Sequence, residues 1–246
     1  MFSGALEQLL LPAECLLCHA LLSPRDAASI VCPLCRQRWR AVRPPWCARC
    51  GQPEPHFGPC RLCAGWPDAL TQVRSAVWLD DGARAAVHDF KYGRLPRIAD
   101  DLAAAMLPLR PRADGASVLI PIPLAPQRLR ERGYNQSEVL ARALARAWRI
   151  PVQVDALVRT RETPTQTALT PDTRLANVRA AFAVANVQCS MINGRSLNID
   201  HSTLIIVDDV FTTGATLAEA ARALEQSGAT KVLGVTFARA AIPDFT

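Results

Sequence analysis

The sequence predicts an α/β fold, a mostly parallel sheet with flanking helices, preceded by a small cysteine-rich segment. From about residue 66 onward, strand-like and helix-like hydrophobic patterns alternate along the chain. The apolar run over residues 204–207 is too short to span a membrane and is typical of a buried parallel strand. Eight of the nine cysteines lie in the first 63 residues. We therefore expect a Cys-rich domain over residues 1–65 and an α/β domain over residues 66–246.

The N-terminal cysteines occur as four CxxC pairs, a spacing typical of structural zinc sites. Residues 1–11 make no convincing signal peptide, which disfavours a secreted disulfide framework. No βαβ unit surrounds the pairs, so redox chemistry fits poorly. Closed sites of four cysteines supply folding energy to segments with little core. A sequential and a cross-braced pairing both remain open, as do one or two bound ions. The pairs are Cys15/Cys18, Cys32/Cys35, Cys47/Cys50 and Cys60/Cys63.

Between the second and third pairs, arginine and tryptophan interleave over residues 36–46. One interpretation is a surface that holds a nucleic-acid strand through charge and stacking. The other is a short helix and a linker, with Trp39 and Trp46 packed on the zinc knuckles.

Each element beyond residue 66 is predicted from a local pattern. Asn135 and Glu138 resemble a capping box, and the apolar residues that follow recur at helical spacing. Pro121 ends a short apolar strand, and Gly228 ends the last helix. The predicted strands are 73–79, 117–120, 152–158, 204 onward and 231–237, with 180–184 extended. The predicted helices are 81–92, 97–109, 135–148, 174–179 and 216–226, and residues 159–172 form a polar loop.

The strand that begins at Leu204 ends in two adjacent carboxylates, Asp208 and Asp209, and a small hydroxyl-rich turn follows. Ligands of open α/β sheets bind at the carboxyl ends of strands, where such a pair can accept hydrogen bonds from sugar hydroxyls or hold a divalent cation. Gly214 permits a positive φ, and the next helix N-terminus favours an anion. The alternative is that residues 216–219 are only the capping box of an ordinary helix.

This run closely resembles the signature of type I phosphoribosyltransferases, which bind phosphoribosyl pyrophosphate (PRPP). The resemblance implies a type I phosphoribosyltransferase fold. It also implies that Asp208 and Asp209 contact the ribose hydroxyls with Mg²⁺ nearby. The turn that would cradle the 5′-phosphate consists of Thr212, Thr213, Gly214, Ala215 and Thr216.

The whole layout is similar to the ComF family, also called the GntX family, which is known from bacterial natural competence. That family joins an N-terminal double zinc ribbon to a phosphoribosyltransferase-like domain. The matching stretches are residues 90–93, 120–124, 128–136 and 181–182, with Arg161, Thr163, Gln166, Leu169, Arg174 and Asn177. A long polar segment at residues 186–203, with the lone Cys189, departs from the family pattern.

The resemblance also implies a pyrophosphate loop and a flexible loop. The pyrophosphate loop comprises Ile120, Pro121, Ile122, Pro123 and Leu124, with Arg128 after it. Arginines beside a strand end could neutralise a leaving pyrophosphate, although the alternative is a solvated helix face. Arg161, Gln166 and Arg174 lie in the loop that would close over the substrate, or that is only a surface loop. Lys91, one of two lysines, could reach a phosphate or simply be exposed.

Composition limits the remaining function classes. The net charge of +6 permits an anionic partner without requiring nucleic acid, and no stretch is long enough to span a bilayer. We expect a soluble cytoplasmic protein without membrane insertion. The resemblance implies two hypotheses: a phosphoribosyltransferase with an unidentified acceptor, or a non-catalytic PRPP-binding adaptor. The adaptor would contact single-stranded DNA or competence and recombination proteins. Structural Zn²⁺ and PRPP-bound Mg²⁺ are the expected cofactors.

Overall fold

A computed structural model describes residues 13–23, 26, 29–53, 59–112, 115–160, 180–185, 191–192, 195–196 and 202–241. Its helices are α1 (Pro33–Gln37), α2 (Asp81–Tyr92), α3 (Ile98–Met106), α4 (Pro126–Arg132), α5 (Gln136–Trp148) and α6 (Ala215–Gln226). Its strands are β1 (Leu70–Trp78), β2 (Ser117–Pro121), β3 (Leu157–Arg159), β4 (Phe182–Val184), β5 (Met191–Ile192), β6 (Arg195–Ser196), β7 (Thr203–Phe211) and β8 (Val232–Arg239). Short 3₁₀ turns span Arg61–Cys63 and Leu107–Leu109.

The central sheet has four parallel strands in the order β1-β8-β7-β2. Helices α3 and α5 pack together, and α5 also contacts β2 and β7. Helix α6 packs against β4 and β7. Because the two long inner strands β7 and β8 are almost fully buried, their sequences are nearly continuous apolar runs. The predicted α/β class with a mostly parallel sheet is confirmed.

Most predicted helices and strands form close to the expected residues. Helix α2 occupies residues 81–92 as predicted, because the Asp80 carboxylate accepts a hydrogen bond from the Ala83 N–H (3.2 Å) at its start. Asn135 caps α5 by accepting from the Ser137 N–H (3.1 Å). The alternative interpretation of residues 216–219 as an ordinary capping box does not hold. Helix α6 starts at residue 215 after Gly214 without a side-chain cap, and Glu219 instead accepts from the Ala180 N–H (3.1 Å).

The predicted strand 152–158 is also wrong over most of its length. Val152 makes one isolated parallel bridge to Leu119 on the outer edge of β2. Only Leu157–Arg159 forms a strand, which pairs antiparallel with β4 in a separate two-stranded sheet. The run therefore divides between two sheets, a tertiary effect that its local β propensity does not encode. The predicted helix 174–179 and Cys189 lie outside the described residues, as does most of the 186–203 segment and of the polar loop 159–172.

The Cys-rich segment packs directly onto the sheet. Ala41 forms an antiparallel bridge with Val77 of the edge strand β1. Trp39 is 5% exposed and meets the Phe237 ring of β8 edge-on at 5.0 Å between centroids. One interpretation of the sequence packs Trp39 on a zinc knuckle, and in the structure Trp39 lies in the same buried cluster as Cys32, Cys35 and Phe237. The division of the chain at residue 65 stays a prediction.

Candidate functional site: an aspartate pair at the sheet edge and two four-cysteine clusters

Strand β7 carries the aspartate pair near its carboxyl end. The strand does not stop before the carboxylates but continues to Phe211, and Asp208 pairs in register with Thr236 of β8. Asp208 is partly exposed, whereas Asp209 is only 3% exposed. Alternation along the strand places the two side chains on opposite faces of the sheet. A buried carboxylate in this position requires a charged or hydrogen-bonding partner.

Lys91 supplies that partner. It lies in the last turn of α2, and its Nζ is 2.9 Å from Asp209 Oδ2. The side chains of Lys91 and Asp209 are 24% and 5% exposed, so the ion pair is largely shielded from water. The sequence offered two roles for Lys91, phosphate contact or plain exposure, and the structure instead joins it to the aspartate pair.

Asp208 is held by a second set of contacts. Its Oδ1 accepts hydrogen bonds from the Ser137 hydroxyl and from the Asp209 N–H, both at 2.9 Å. Burial, and then the neighbouring Asp209 carboxylate, raise the pKa of Asp208 to about 6. Lys91 and the two hydrogen bonds act in the opposite direction. Asp208 therefore changes charge close to neutral pH and gains from any cation placed beside it.

The turn after β7 depends on a glycine and leads directly into the N-terminus of α6. Gly214 has φ +79°, and a Cβ atom there would lie 2.6 Å from a ring carbon of Trp66 and 2.9 Å from Phe211. Only glycine fits both the backbone conformation and the close approach of these rings. The Thr213 hydroxyl accepts from the Ala215 N–H (3.4 Å) where α6 begins. The first N–H groups of this 12-residue helix, together with its dipole, favour an anion.

The predicted pyrophosphate loop lies beside the aspartates. Pro121 of β2 pairs with Val207, the residue that precedes Asp208. The Ile122 N–H donates to the Val207 carbonyl (3.0 Å), and the Ile122 carbonyl accepts from the Asn135 side chain (3.0 Å). Ile120, Pro121 and Ile122 are buried, whereas Pro123 and Leu124 are half-buried. The loop therefore follows the end of β2 at the same edge as the pair.

Arg128 and Arg159 add positive charge at this edge. Arg128 lies half-buried on α4, and Arg159 ends β3 with its guanidinium 5.3 Å from the centre of the Phe182 ring. Burial, and then the nearby Arg128, lower the pKa of Arg159, while Asp208 raises it. Arg159 therefore interacts electrostatically with both Arg128 and Asp208. The sequence predicted that Arg159 begins a polar loop, and nothing in its local pattern indicated a position beside the aspartate pair. Arg161, Gln166 and Arg174 lie outside the described residues.

The eight N-terminal cysteines gather into two groups with the sequential pairing. Within each group the sulfur atoms all lie within 4.8 Å of one another. The sulfur separations include 3.7 Å for Cys18–Cys32 and 3.5 Å for Cys50–Cys60. A tetrahedral Zn²⁺ with Zn–S bonds of about 2.3 Å requires sulfur separations of about 3.8 Å. The groups are Cys15, Cys18, Cys32 and Cys35, and Cys47, Cys50, Cys60 and Cys63.

The electrostatics of each group also fit a bound dication. Burial, and then hydrogen bonds with the neighbouring thiols, raise the pKa of Cys35 to about 12. Burial, and then the charges of Cys60 and Cys47, raise the pKa of Cys63 to about 12. Four thiols at these distances cannot all ionise to thiolates without a cation between them. The donor set is therefore that of closed structural zinc sites, with no open position for chemistry.

Comparison with known proteins agrees with both halves of this description. The double zinc ribbon domain family matches residues 6–64, and the phosphoribosyl transferase domain family matches residues 135–242. The DNA utilization protein YhgH of Salmonella typhimurium is 30% identical over 231 residues, covering 91% of this chain and 96% of the relative. The competence protein ComFC of Bacillus subtilis is 28% identical over 219 residues, covering 85% of this chain and 82% of the relative. The chain belongs to the ComF family.

One solved structure, a glutamine PRPP amidotransferase from Bacillus subtilis, is 18% identical with a TM-score of 0.36 and covers 60% of this chain and 30% of that one. Within this ComF-family protein, the aspartate pair, Ser137 and the Gly214 turn lie inside the matched phosphoribosyl transferase region. Lys91 lies outside it. No helix among the described residues is long and apolar enough to cross a membrane.

The sequence indicated the aspartate pair, the turn and Lys91 as candidates, but neither Ser137 nor the contacts that hold the pair. Ser137 lies 71 residues from Asp208 in the chain, and Lys91 lies on a different helix again. Tyr134 donates its hydroxyl to the Phe90 carbonyl and so ties the start of α5 to the end of α2. The signal available beforehand was the family-like stretch at residues 90–93, in which Lys91 was expected either to reach a phosphate or to be exposed, but not to contact the aspartate pair.

Proposed function

We propose that this ComF-family protein binds Mg²⁺-PRPP at the carboxyl edge of its sheet, in the service of DNA uptake or utilization. The observation that carries the proposal is the paired carboxylate of Asp208 and Asp209 directly followed by the glycine-dependent turn at Gly214. A diol-binding acidic group and an anion-binding helix start therefore occupy consecutive positions on the chain. PRPP carries these two features, ribose hydroxyls and a 5′-phosphate, on one sugar ring.

The charges around the pair suit the rest of the ligand. Lys91, Arg128 and Arg159 lie at the edge where the pyrophosphate of PRPP would project. The carboxylates of Asp208 and Asp209 provide the hard oxygen donors that Mg²⁺ prefers, directly or through water. When bound, the cation would offset the negative charge of the diphosphate and of Asp208. Lys91 could then exchange its contact with Asp209 for a phosphate oxygen.

A phosphoribosyltransferase reaction is the first interpretation of this site. The turn and the aspartates would fix the sugar, while the arginines stabilise the departing pyrophosphate. Catalysis of this kind depends on positioning and charge rather than on a protein nucleophile. The attacking group would come from the acceptor.

A non-catalytic adaptor is the second candidate, and two observations favour it. A transferase could use a histidine near the site as a general base. His88, the described histidine nearest in sequence to Lys91, is instead exposed, and its Nδ1 faces Asp89 at 3.5 Å rather than the aspartate pair. The relatives bear names that refer to DNA utilization and competence. In this interpretation PRPP would act as a regulatory ligand.

Calorimetric titration with PRPP, with and without Mg²⁺, tests the proposal. We expect Mg²⁺-dependent binding in the zinc-replete protein and its loss in an Asp208→Asn/Asp209→Asn variant. An Asp68→Asn variant is the matched control, because Asp68 is exposed and precedes β1, at the amino edge of the parallel sheet. Absence of binding to the folded wild-type protein would show that the signature is a retained scaffold.

A second measurement separates the two candidates. Pyrophosphate release is followed with PRPP and a panel of amines, nucleobases and oligonucleotides as acceptors. Release that depends on an acceptor and on the aspartate pair supports a transferase. Tight binding without release by any acceptor supports the adaptor.

A further inference from the structure

A second concave surface, separate from the aspartate pair, lies where the Cys-rich segment meets the edge strand β1. Its walls come from residues 36–46 of the Cys-rich segment, from residues 72–77 of β1, and from residues 105–112 at the end of α3 and beyond. The volume of this groove is about 510 Å³, within the range of small-molecule sites. We propose that the groove binds a small aromatic carboxylate, whose ring packs against Trp46 and whose charge pairs with Arg110 or Arg112.

The lining of the groove indicates a ligand that is mainly apolar and negatively charged. Ten of the fifteen lining residues are apolar, four are arginines, one is a glutamine and none is acidic. Among the described residues, no carboxylate forms an ion pair with Arg74, Arg110 or Arg112. Arg36, by contrast, is paired with Asp101, whose Oδ1 lies 3.2 Å from its guanidinium. An anion would therefore gain charged hydrogen bonds in the groove without displacing an acidic partner.

Trp46 offers the groove a partly exposed aromatic surface that is already fixed in place. Its backbone forms an antiparallel bridge with Pro53. The Arg74 guanidinium lies 5.2 Å from the centre of the indole ring, a cation–π contact. The same guanidinium donates to the carbonyls of Val73 and Ala48, both at 2.7 Å. Because the ring is held before a ligand arrives, a planar group that packs on it costs little additional ordering.

Arg110 and Arg112 supply charge from a different wall of the groove. Both side chains are exposed and follow the 3₁₀ turn at Leu107–Leu109. A guanidinium can hold a carboxylate through two parallel hydrogen bonds. A phosphate would pair with these arginines as well, but the ribose of a nucleotide would place hydroxyl groups against the apolar lining, where they find few partners. The lining therefore favours an aromatic acid over a nucleotide.

The outer edge of β1 favours a small molecule over an added peptide strand. The Val42 N–H donates to the Ala76 carbonyl at 3.0 Å, and the Val73 N–H donates to the Arg49 carbonyl at 2.7 Å. The Cys-rich segment thus already occupies, on both sides of Arg74, the edge that a peptide would need for strand addition.

The groove is distinct from the proposed PRPP site. The aspartate pair lies on β7, and β8 separates that strand from β1 in the sheet. None of the residues that line the groove contributes to the aspartate pair, to its turn or to the pyrophosphate loop. Failure of aromatic-acid binding and failure of PRPP binding would therefore be separate results.

Calorimetric titration of the zinc-replete protein with naphthoate, an aromatic carboxylate, tests the inference. We expect naphthoate to bind about tenfold or more tightly than its neutral isostere naphthamide, because the amide cannot form an ion pair. Arg110→Gln/Arg112→Gln should remove this difference by weakening the binding of naphthoate alone. Trp46→Ala should weaken the binding of both compounds, and Trp46→Phe should restore most of the affinity, because phenylalanine keeps an aromatic face.

The matched control is Arg142→Gln/Arg146→Gln, which removes two exposed arginines from α5, outside the groove. Naphthoate should bind this variant as it binds the wild type. An equal loss in the control, absence of naphthoate binding to the wild type, or equal affinity for naphthamide would overturn the inference. The arginine variant decides the question if Trp46→Ala does not fold, because both of its arginines are exposed.

Two competition measurements identify other occupants. Displacement of naphthoate by Mg²⁺-PRPP would place the aromatic acid at the aspartate pair and contradict a separate site. Tighter binding of dTMP or of an oligo-dT strand than of naphthoate, lost in the same groove variants, would identify a nucleotide surface and would also overturn the inference.

Discussion

Lys91 and the aspartate pair show how a single ion pair stabilises adjacent carboxylates at a strand end. Two adjacent carboxylates at a strand end repel each other and lose hydration when they are buried. Lys91, 2.9 Å from Asp209, offsets one of the two negative charges. The second charge, on Asp208, is stabilised by hydrogen bonds from Ser137 and from the backbone and by the more distant charge of Lys91. These contacts do not outweigh burial and the neighbouring Asp209, because the pKa of Asp208 stays raised, so a cation beside Asp208 would be favoured.

The raised pKa of Asp208 gives a prediction about stability. Because its pKa is about 6 in the folded protein and 3.8 in the reference state, the native state binds more protons between these values. The stabilisation of the folded protein by protonated Asp208 is therefore present at low pH and is lost as the pH rises through 6. Asp208→Asn removes the titration and should stabilise the protein, by about 1 kcal/mol more at pH 7.5 than at pH 5. Urea unfolding at both pH values measures this difference, and a gain independent of pH would contradict it.

Replacement of Lys91 tests its role directly. We expect Lys91→Met to weaken PRPP binding by about 10–100-fold, the usual worth of one charged hydrogen bond. The same change should raise the pKa of Asp208 further, since Lys91 lowers that pKa in the wild type. Lys231→Met is the matched control, because Lys231 is the other lysine of the chain and precedes β8, at the amino edge of the sheet. Calorimetry with Mg²⁺-PRPP compares the three proteins, and equal affinities would exclude Lys91 from the site.

At the level of elements, the sequence predicts what local chemistry determines and misses what tertiary contacts determine. Helix α2 matches its prediction because its cap at Asp80 and its amphipathic pattern are both local. The run after Val152 fails because it leaves the edge of β2 and pairs with β4 instead. The parallel sheet was predictable from alternation, but the strand order β1-β8-β7-β2 was not, since no local pattern records which strands are neighbours.

The candidate site likewise combines residues that local sequence indicates with residues that only tertiary packing brings together. Asp208, Asp209 and Gly214 are consecutive enough to be recognised as a motif. Lys91 and Ser137 reach the pair only because α2 and α5 pack at the same sheet edge, and their sequence separations hide this. The grouping of the cysteines likewise required the fold, because the spacing allowed both a sequential and a cross-braced arrangement.

The turn after β7 gives a prediction at the element scale. Gly214→Ala should destabilise the protein by several kcal/mol and abolish PRPP binding, because its Cβ would lie 2.6 Å from Trp66 at φ +79°. Gly133→Ala is the matched control. Gly133 has φ +84°, but no atom lies within 4 Å of the position that its added methyl group would take, so only the backbone strain of about 1–2 kcal/mol remains. Urea unfolding of both variants separates the clash from the strain, and equal losses would refute the close approach.

At the scale of the whole molecule, the Cys-rich segment and the sheet share their buried surfaces. Cys35 and Trp39 belong to the core on one side of the sheet, and Cys50 and Trp66 to the core on the other. Arg239 of β8 is 1% exposed and donates to the Cys50 carbonyl at 2.8 Å. Its guanidinium also lies 4.2 Å from the centre of the Phe211 ring, where β7 leads into the turn at Gly214. The second cysteine group is therefore linked to the candidate PRPP site through Arg239 and Trp66.

This linkage predicts that zinc retention and PRPP binding are coupled, and unequally for the two cysteine groups. Cys50→Ser should lower the melting temperature by about 10 °C or more and also weaken PRPP binding, because it releases the backbone that anchors Arg239. Cys18→Ser, at an exposed position of the first group, should lower zinc content with a smaller effect on PRPP. Cys189→Ser is the control, since Cys189 belongs to no CxxC pair.

Zinc analysis, thermal melting and PRPP calorimetry on the three variants test the coupling. The Cys50→Ser protein could lose one zinc ion and still bind PRPP with unchanged affinity. That result would show that the zinc ribbon stabilises the chain without shaping the turn. Trp66 would then hold Gly214 independently of the metal.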